Sequence, residues 1–331
     1  MNSMSGLPLR SSLLCGERRS VCHFYRREAK SAELGRAIEA DAIPVMRTQR
    51  SMIRLVTLLL LAVLPRAVVF AQTTPADDSV REKRLAFFQE RIAEYRLVLE
   101  GDRVIHRTPQ PVLRWSHPAG TTVDAAFYVW LDAERPAVFG CILIHRELGH
   151  FAELQSVTAQ PLKAVRSGST IWEPVKKGCE FALVPNAPKP ADTANERLTQ
   201  MKMMARRFGA ELIKGPPNYS EGSIWRLRLL PKQLLRYGGP QATAVDGALF
   251  AFCHDTDPEV LLMLEASGEK ADLAWHFAFA PMTGWKATGT YDDKPIWSQP
   301  RLHPANDPKL PYISFGPYPL EAKLRMPEAT P

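Results

Sequence analysis

An apolar hairpin occurs twice in this chain, 122 residues apart, and that repetition restricts the fold more than any other feature. Residues 245–264 read as two apolar strands, 248–253 and 260–264, joined by a polar turn carrying Asp255, Asp257 and Pro258. The same pattern appears at 123–142. In the gap-free window 109–143 against 231–265, ten of 35 positions are identical, Arg114/Arg236, Asp124/Asp246 and Pro136/Pro258 among them. Ordinary composition gives roughly two or three by chance. Phe127, Val129 and Leu131 alternate with Tyr128 and Trp130, so the strand is apolar on both faces and has to be covered on both. The expected fold class is therefore α+β with an internal duplication: two copies of a helix packed on an antiparallel β meander. The helix covers one face of each hairpin, and the other copy or a partner covers the second.

Leu85, Phe88, Ile92, Tyr95 and Leu99 recur at spacings of three and four and predict a helix that stops before Gly101. Leu198, Met201, Ala205 and Phe208 predict a second helix over about 195–208. Strands are expected at 112–116, 125–131, 138–145 and 151–157, and again at 225–230, 234–237, 248–253, 260–264 and 275–280. A Pro-rich stretch, 185–190, separates the two sets.

The start of the chain predicts export. Arg47, Arg50 and Arg54 precede a ten-residue apolar run, 55–64, which leads to Val69-Phe70-Ala71. This is a signal-peptide pattern, with Met46 or Met52 as the expected start and cleavage expected after Ala71. The run falls short of the roughly 20 apolar residues that a transmembrane helix needs, so no membrane span is expected in the mature chain. The expected organisation is a disordered or mis-assigned upstream extension over 1–45, a signal peptide over 46–71 and repeats over 72–191 and 192–299. A Pro-rich tail over 300–331 follows, with Tyr312, Phe315 and Tyr318 lying on the core.

The formal charge of +7 also belongs mainly to the leader. Residues 1–71 hold 11 Lys/Arg against 5 Asp/Glu, leaving 31 and 30 for the remainder, which argues against nucleic acid as a partner. Residues 197–236 carry nine basic and two acidic side chains, and 246–293 nine acidic and two basic. Two neighbouring segments of opposite sign are expected to pair with each other.

Polar groups shared by the two copies are expected to serve the fold. Arg114 with Asp124, and Arg236 with Asp246, would then be carboxylate–guanidinium pairs between neighbouring strands. His145, Glu147 and His150 form the sharpest constellation present in one copy only. A tight turn near Gly149 would bring the two histidines onto adjacent strands as zinc-type ligands, with the carboxylate completing the set. The alternative is an ordinary solvated turn. Trp115 and Tyr237 are the expected lining of a groove between the hairpins, with core packing as the alternative. Cys141, Cys179 and Cys253 allow at most one internal disulfide, and buried thiols are the expected state.

The strings Arg197-Leu-x-Gln-Met201, Asp246-Gly-Ala-Leu-Phe250 and Thr256-Asp-Pro-Glu-Val260 resemble an uncharacterised family of exported bacterial proteins of planctomycete type, over roughly residues 100–300. The resemblance implies export and the length of the unit, and no activity. The expected function is a non-catalytic binding or structural module of the cell envelope. Its expected partner is an envelope protein or polymer, an oligomer is allowed, and no cofactor is expected. The alternative is an extracytoplasmic hydrolase, metal-dependent through His145 and His150.

Overall fold

A computed structural model describes residues 75–117, 120–215, 223–239, 242–269 and 272–325. The expected signal peptide and upstream extension lie outside the described residues. The α+β expectation is overturned: among the described residues strand makes up 50% and helix 14%, with two α-helices, and the sheet curls into a nearly closed barrel. What recurs is the hairpin with its arginine–aspartate pair, not a helix-on-meander unit.

Helix α1 (Pro75–Ala93) leads into strands β1 (Arg96–Leu99), β2 (Arg103–Arg107) and β3 (Leu113–Trp115). Then come the long hairpin β4 (Thr122–Asp132) and β5 (Arg135–His145), followed by β6 (Gly149–Ser156), β7 (Leu162–Arg166), β8 (Ser169–Trp172) and the short β9 (Ala182–Leu183). Helix α2 (Ala194–Ala205) opens the second set: β10 (Phe208–Lys214), β11 (Ser223–Arg226), β12 (Arg228–Leu229) and β13 (Leu235–Tyr237). Its long hairpin is β14 (Ala244–His254) and β15 (Asp257–Ser267), followed by β16 (Ala274–Pro281), β17 (Lys286–Tyr291) and β18 (Lys294–Gln299). Strand β19 (Tyr312–Tyr318) comes from the Pro-rich segment.

The nine-stranded sheet runs β19-β6-β5-β4-β2-β1-β7-β8, with β3 also on β4. The segment entering β19 closes much of the remaining gap. Glu173 and Val175, just past β8, donate their backbone N–H groups to the carbonyls of Pro308 and Lys309 at 2.9 and 3.0 Å. In the second half a six-stranded and a four-stranded sheet meet where Leu227 donates to Ala210 and Leu230 to Ala251. The two long hairpins share their register at the offset of 122, including irregularities after Thr122 and Ala244 and after Trp130 and Phe252.

Alternation sets the core. Ala126, Tyr128 and Trp130 face α1 and pack with Phe88 and Ile92. Ala248, Phe250 and Phe252 pack with Met201 and Met204 of α2. The opposite faces, with Phe127, Val129, Leu249 and Ala251, meet each other in a third cluster between the halves. Both faces of each hairpin are thus covered, the second by its counterpart.

The helix ends were set too late by periodicity. Backbone bonds from Glu94 to Arg91 and from Tyr95 to Ile92 close α1 with a tight last turn, so of the residues that continue its apolar stripe Tyr95 lies in the link and Leu99 in β1. Phe208 likewise opens β10 and does not close α2. At the other end of α2, the Thr193 hydroxyl caps the helix by accepting from the Glu196 backbone N–H, and it donates to the Glu196 carboxylate.

Candidate functional site

The shared arginine–aspartate pairs tie helix to sheet. Arg114 bonds Asp124 through Nε and Nη2 at 3.0 and 2.6 Å, and its Nη2 also donates to the Arg81 carbonyl of α1. Arg236 repeats this with Asp246 at 2.9 and 2.7 Å and with the Ala194 carbonyl of α2. Asp246 takes a second guanidinium, Arg197, at 2.9 Å. With Lys214–Glu259 and Arg207–Asp292, these contacts join four of the nine cations of the basic segment to three carboxylates of the acidic one.

The histidine constellation does not assemble. Ile144 is opposite His150 in the β5–β6 ladder and His145 opposite Gly149, so the two imidazoles project from opposite faces of the sheet. His145 closes the turn: its Nδ1 accepts from the backbone N–H groups of Glu147 and Leu148 at 3.1 and 3.2 Å. His150 Nδ1 bonds the Pro319 carbonyl at 3.1 Å, and its ring packs against Phe87 and Tyr318. Burial pushes both imidazoles below the usual histidine range, while Glu147 lies exposed on the turn. Among the described residues no group of three His, Cys, Asp or Glu side chains could hold a metal ion.

Trp115 and Tyr237 are core residues, 7% and 5% exposed, in the cluster between the halves. The Tyr237 hydroxyl donates to Glu265 at 3.3 Å, and Glu265 also takes both nitrogens of a forked contact from Arg135. This network crosses from one half to the other. Cys141, Cys179 and Cys253 are free thiols.

Two features went unnoticed in the sequence because they join residues far apart in the chain. The first is a polar end to the junction between the halves. Glu153 on β6 accepts from the Tyr312 hydroxyl of β19 at 2.9 Å, and Glu259 on β15 pairs with Lys214 at 3.1 Å. Burial, with a small opposing effect from the Tyr312 bond and repulsion from Glu259, pushes the Glu153 carboxyl up to about 7. Burial, with repulsion from Glu259 and Glu153, pushes Asp257 well above the usual carboxylate range. Lys214 is flanked by Trp225 and Trp285, and His254 stacks on Trp225 with ring centroids 3.8 Å apart.

The second is an open cleft of about 680 Å³ at one mouth of the first barrel. Three connections meet there: the β1–β2 turn with Glu100 and Asp102, the β6–β7 connection, and the segment after β8. Lys163, Lys176, Lys177 and Lys309 line it. No protein-family model, no curated protein and no solved structure matches the chain.

Proposed function

We propose that the chain is exported and that its folded part acts as a non-catalytic binding module of the cell envelope. The leader pattern and the family resemblance support export. The cleft at the barrel mouth carries the binding reading, since its volume of about 680 Å³ suits a ligand and barrel mouths are frequent ligand sites. Mass spectrometry of the native protein should find a mature N-terminus at Gln72, and immobilised mature protein should retain a polymer or protein from an envelope fraction. An intact 331-residue chain in the cytoplasm would overturn the export reading, and failure to retain anything would overturn the binding reading.

One observation favours a second reading, an extracytoplasmic hydrolase. A carboxyl held near 7 beside other acids is what a general acid requires, and Glu153 has that setting. The metal-dependent form through His145 and His150 is set aside, because those side chains diverge. Hydrolysis of a glycoside or ester panel, lost in Glu153→Gln without loss of fold, would replace the binding reading with this one.

A further inference from the structure

We propose that β19 exchanges between two copies of this chain, each copy's β19 closing the β6 edge of the other to give a strand-exchanged dimer. This goes beyond the binding reading and does not depend on it.

Each half supplies a strand that closes the other. Strands β6 and β16 follow the long hairpins at matching places, and chain from the opposite half lies on the outer edge of each, β19 on β6 and β9 on β16. The two crossings differ in freedom. Strand β9 pairs through two residues, Ala182 and Leu183. Its approach is held to the first half as far as Cys179, whose thiol donates to the Val157 carbonyl at 3.3 Å. Strand β19 pairs through five residues, and its approach contains a hinge. As far as Leu302 the chain is fixed to the second half: the Leu302 N–H donates to the Gly284 carbonyl at 2.9 Å, and Arg301 lies over the Trp285 ring. From Pro308 onward it is fixed to the first half, through the bonds from Glu173 and Val175. Among the described residues, the hydrogen bonds of 303–307 run only to 309–314, the segment that would leave with them. His303, Pro304 and Asn306 are exposed. Fully extended, five such residues span roughly 17 Å.

The slot selects its occupant, because residues 308–324 are what it already holds. Their side-chain and cap bonds go to the first half: Tyr312 to Glu153, Tyr318 to Arg166, the Pro319 carbonyl to His150 and the Leu324 carbonyl to Arg84. Ile313, Leu320 and Leu324 are buried in its core. A second copy supplies all of these contacts unchanged. The two closures therefore differ only in the hinge and in the cost of bringing two chains together. Over a short connection, a chain's own strand acts at an effective concentration of about a millimolar. Copies near that concentration exchange, and dilute copies close on themselves.

The test starts from the mature protein unfolded in urea and refolded at about 10 µM or at about 1 mM, on either side of that effective concentration. Both samples are then diluted alike for size-exclusion chromatography with light scattering. We expect monomer from the dilute sample, and a dimer-to-monomer ratio at least about tenfold higher from the concentrated one. Ala152 and Phe315 are register partners, and cysteines at the roughly 4.5–5.5 Å spacing of antiparallel partners can form a disulfide. Oxidised A152C/F315C, unfolded and refolded with its disulfide intact, should give no dimer. The same variant refolded reduced should dimerise as the parent does. In the dimer from a mixture of A152C copies and F315C copies, oxidation should join the two chains. A parent that stays monomeric after concentrated refolding would overturn the proposal without any substitution. A dimer that the oxidised lock leaves in place, or a mixed dimer with no disulfide between its chains, would overturn it as well.

Discussion

Asp246 receives two guanidinium groups where Asp124 receives one, and the difference has a measurable consequence. Both carboxylates are buried, so removing either strands a cation that has already lost much of its hydration. Asp246→Ala should cost about 3–5 kcal/mol in urea unfolding, and Asp124→Ala less, because only Arg114 is left without its partner there. Glu153 predicts a pH effect of definite sign. Its folded carboxyl is raised from 4.5 to about 7, so the folded state holds the proton more tightly than the unfolded chain. Its contribution is fully present below about 4.5 and is lost as pH rises towards about 7. Glu153 keeps some contact with solvent, so about 1–2 kcal/mol is expected after screening. Denaturant unfolding from pH 4 to 8 should show this decline, and Glu153→Gln should make it shallower, leaving the part that Asp257 contributes in the same direction. A decline unchanged by the substitution would assign it elsewhere.

At the scale of elements, the long hairpins were legible because runs of seven and six consecutive apolar residues, 125–131 and 248–253, with alternating facing leave few other solutions. Their burial on both faces follows from the same fact. Strands β1, β7, β10 and β17 were not legible: they mix buried with half-buried or exposed residues and pair with partners far off in sequence. The end of α1 was misplaced because Tyr95 and Leu99 keep helical spacing while serving a strand and its turn. The arginine–aspartate pairs were visible through repetition, and the histidines misled because adjacency on neighbouring strands says nothing about which face each side chain takes. The anchored segment after β8 gives an element-level prediction. Gly178→Ala should destabilise by about 1–3 kcal/mol through its clash with Ser156, read as a lower unfolding midpoint. Thr193→Ala should cost about 1 kcal/mol by removing the α2 cap.

For the whole molecule, the decisive element is the last strand. The sequence suggested a Pro-rich tail resting on a finished core, but β19 pairs with β6, and Ile313, Leu320 and Leu324 belong to the first core. Deleting residues 308–331 removes these side chains and the Tyr312–Glu153 bond. At about 1.5–3 kcal/mol for each buried apolar side chain, the loss approaches the stability of a typical domain. The truncated chain should show an unfolded first half by hydrogen exchange; protection of β5 and β6 at parental levels would refute this.

Strand β19 also fixes an order of events during synthesis. His150 lies 169 residues before Pro319, whose carbonyl it bonds. A chain delivered N-terminus first therefore presents β6 as an unpaired edge until residues 312–318 emerge, while the second half has all its strands by residue 299. The half that is made first is thus the half that is finished last, and a helper protein shielding a strand edge would find its substrate in β6.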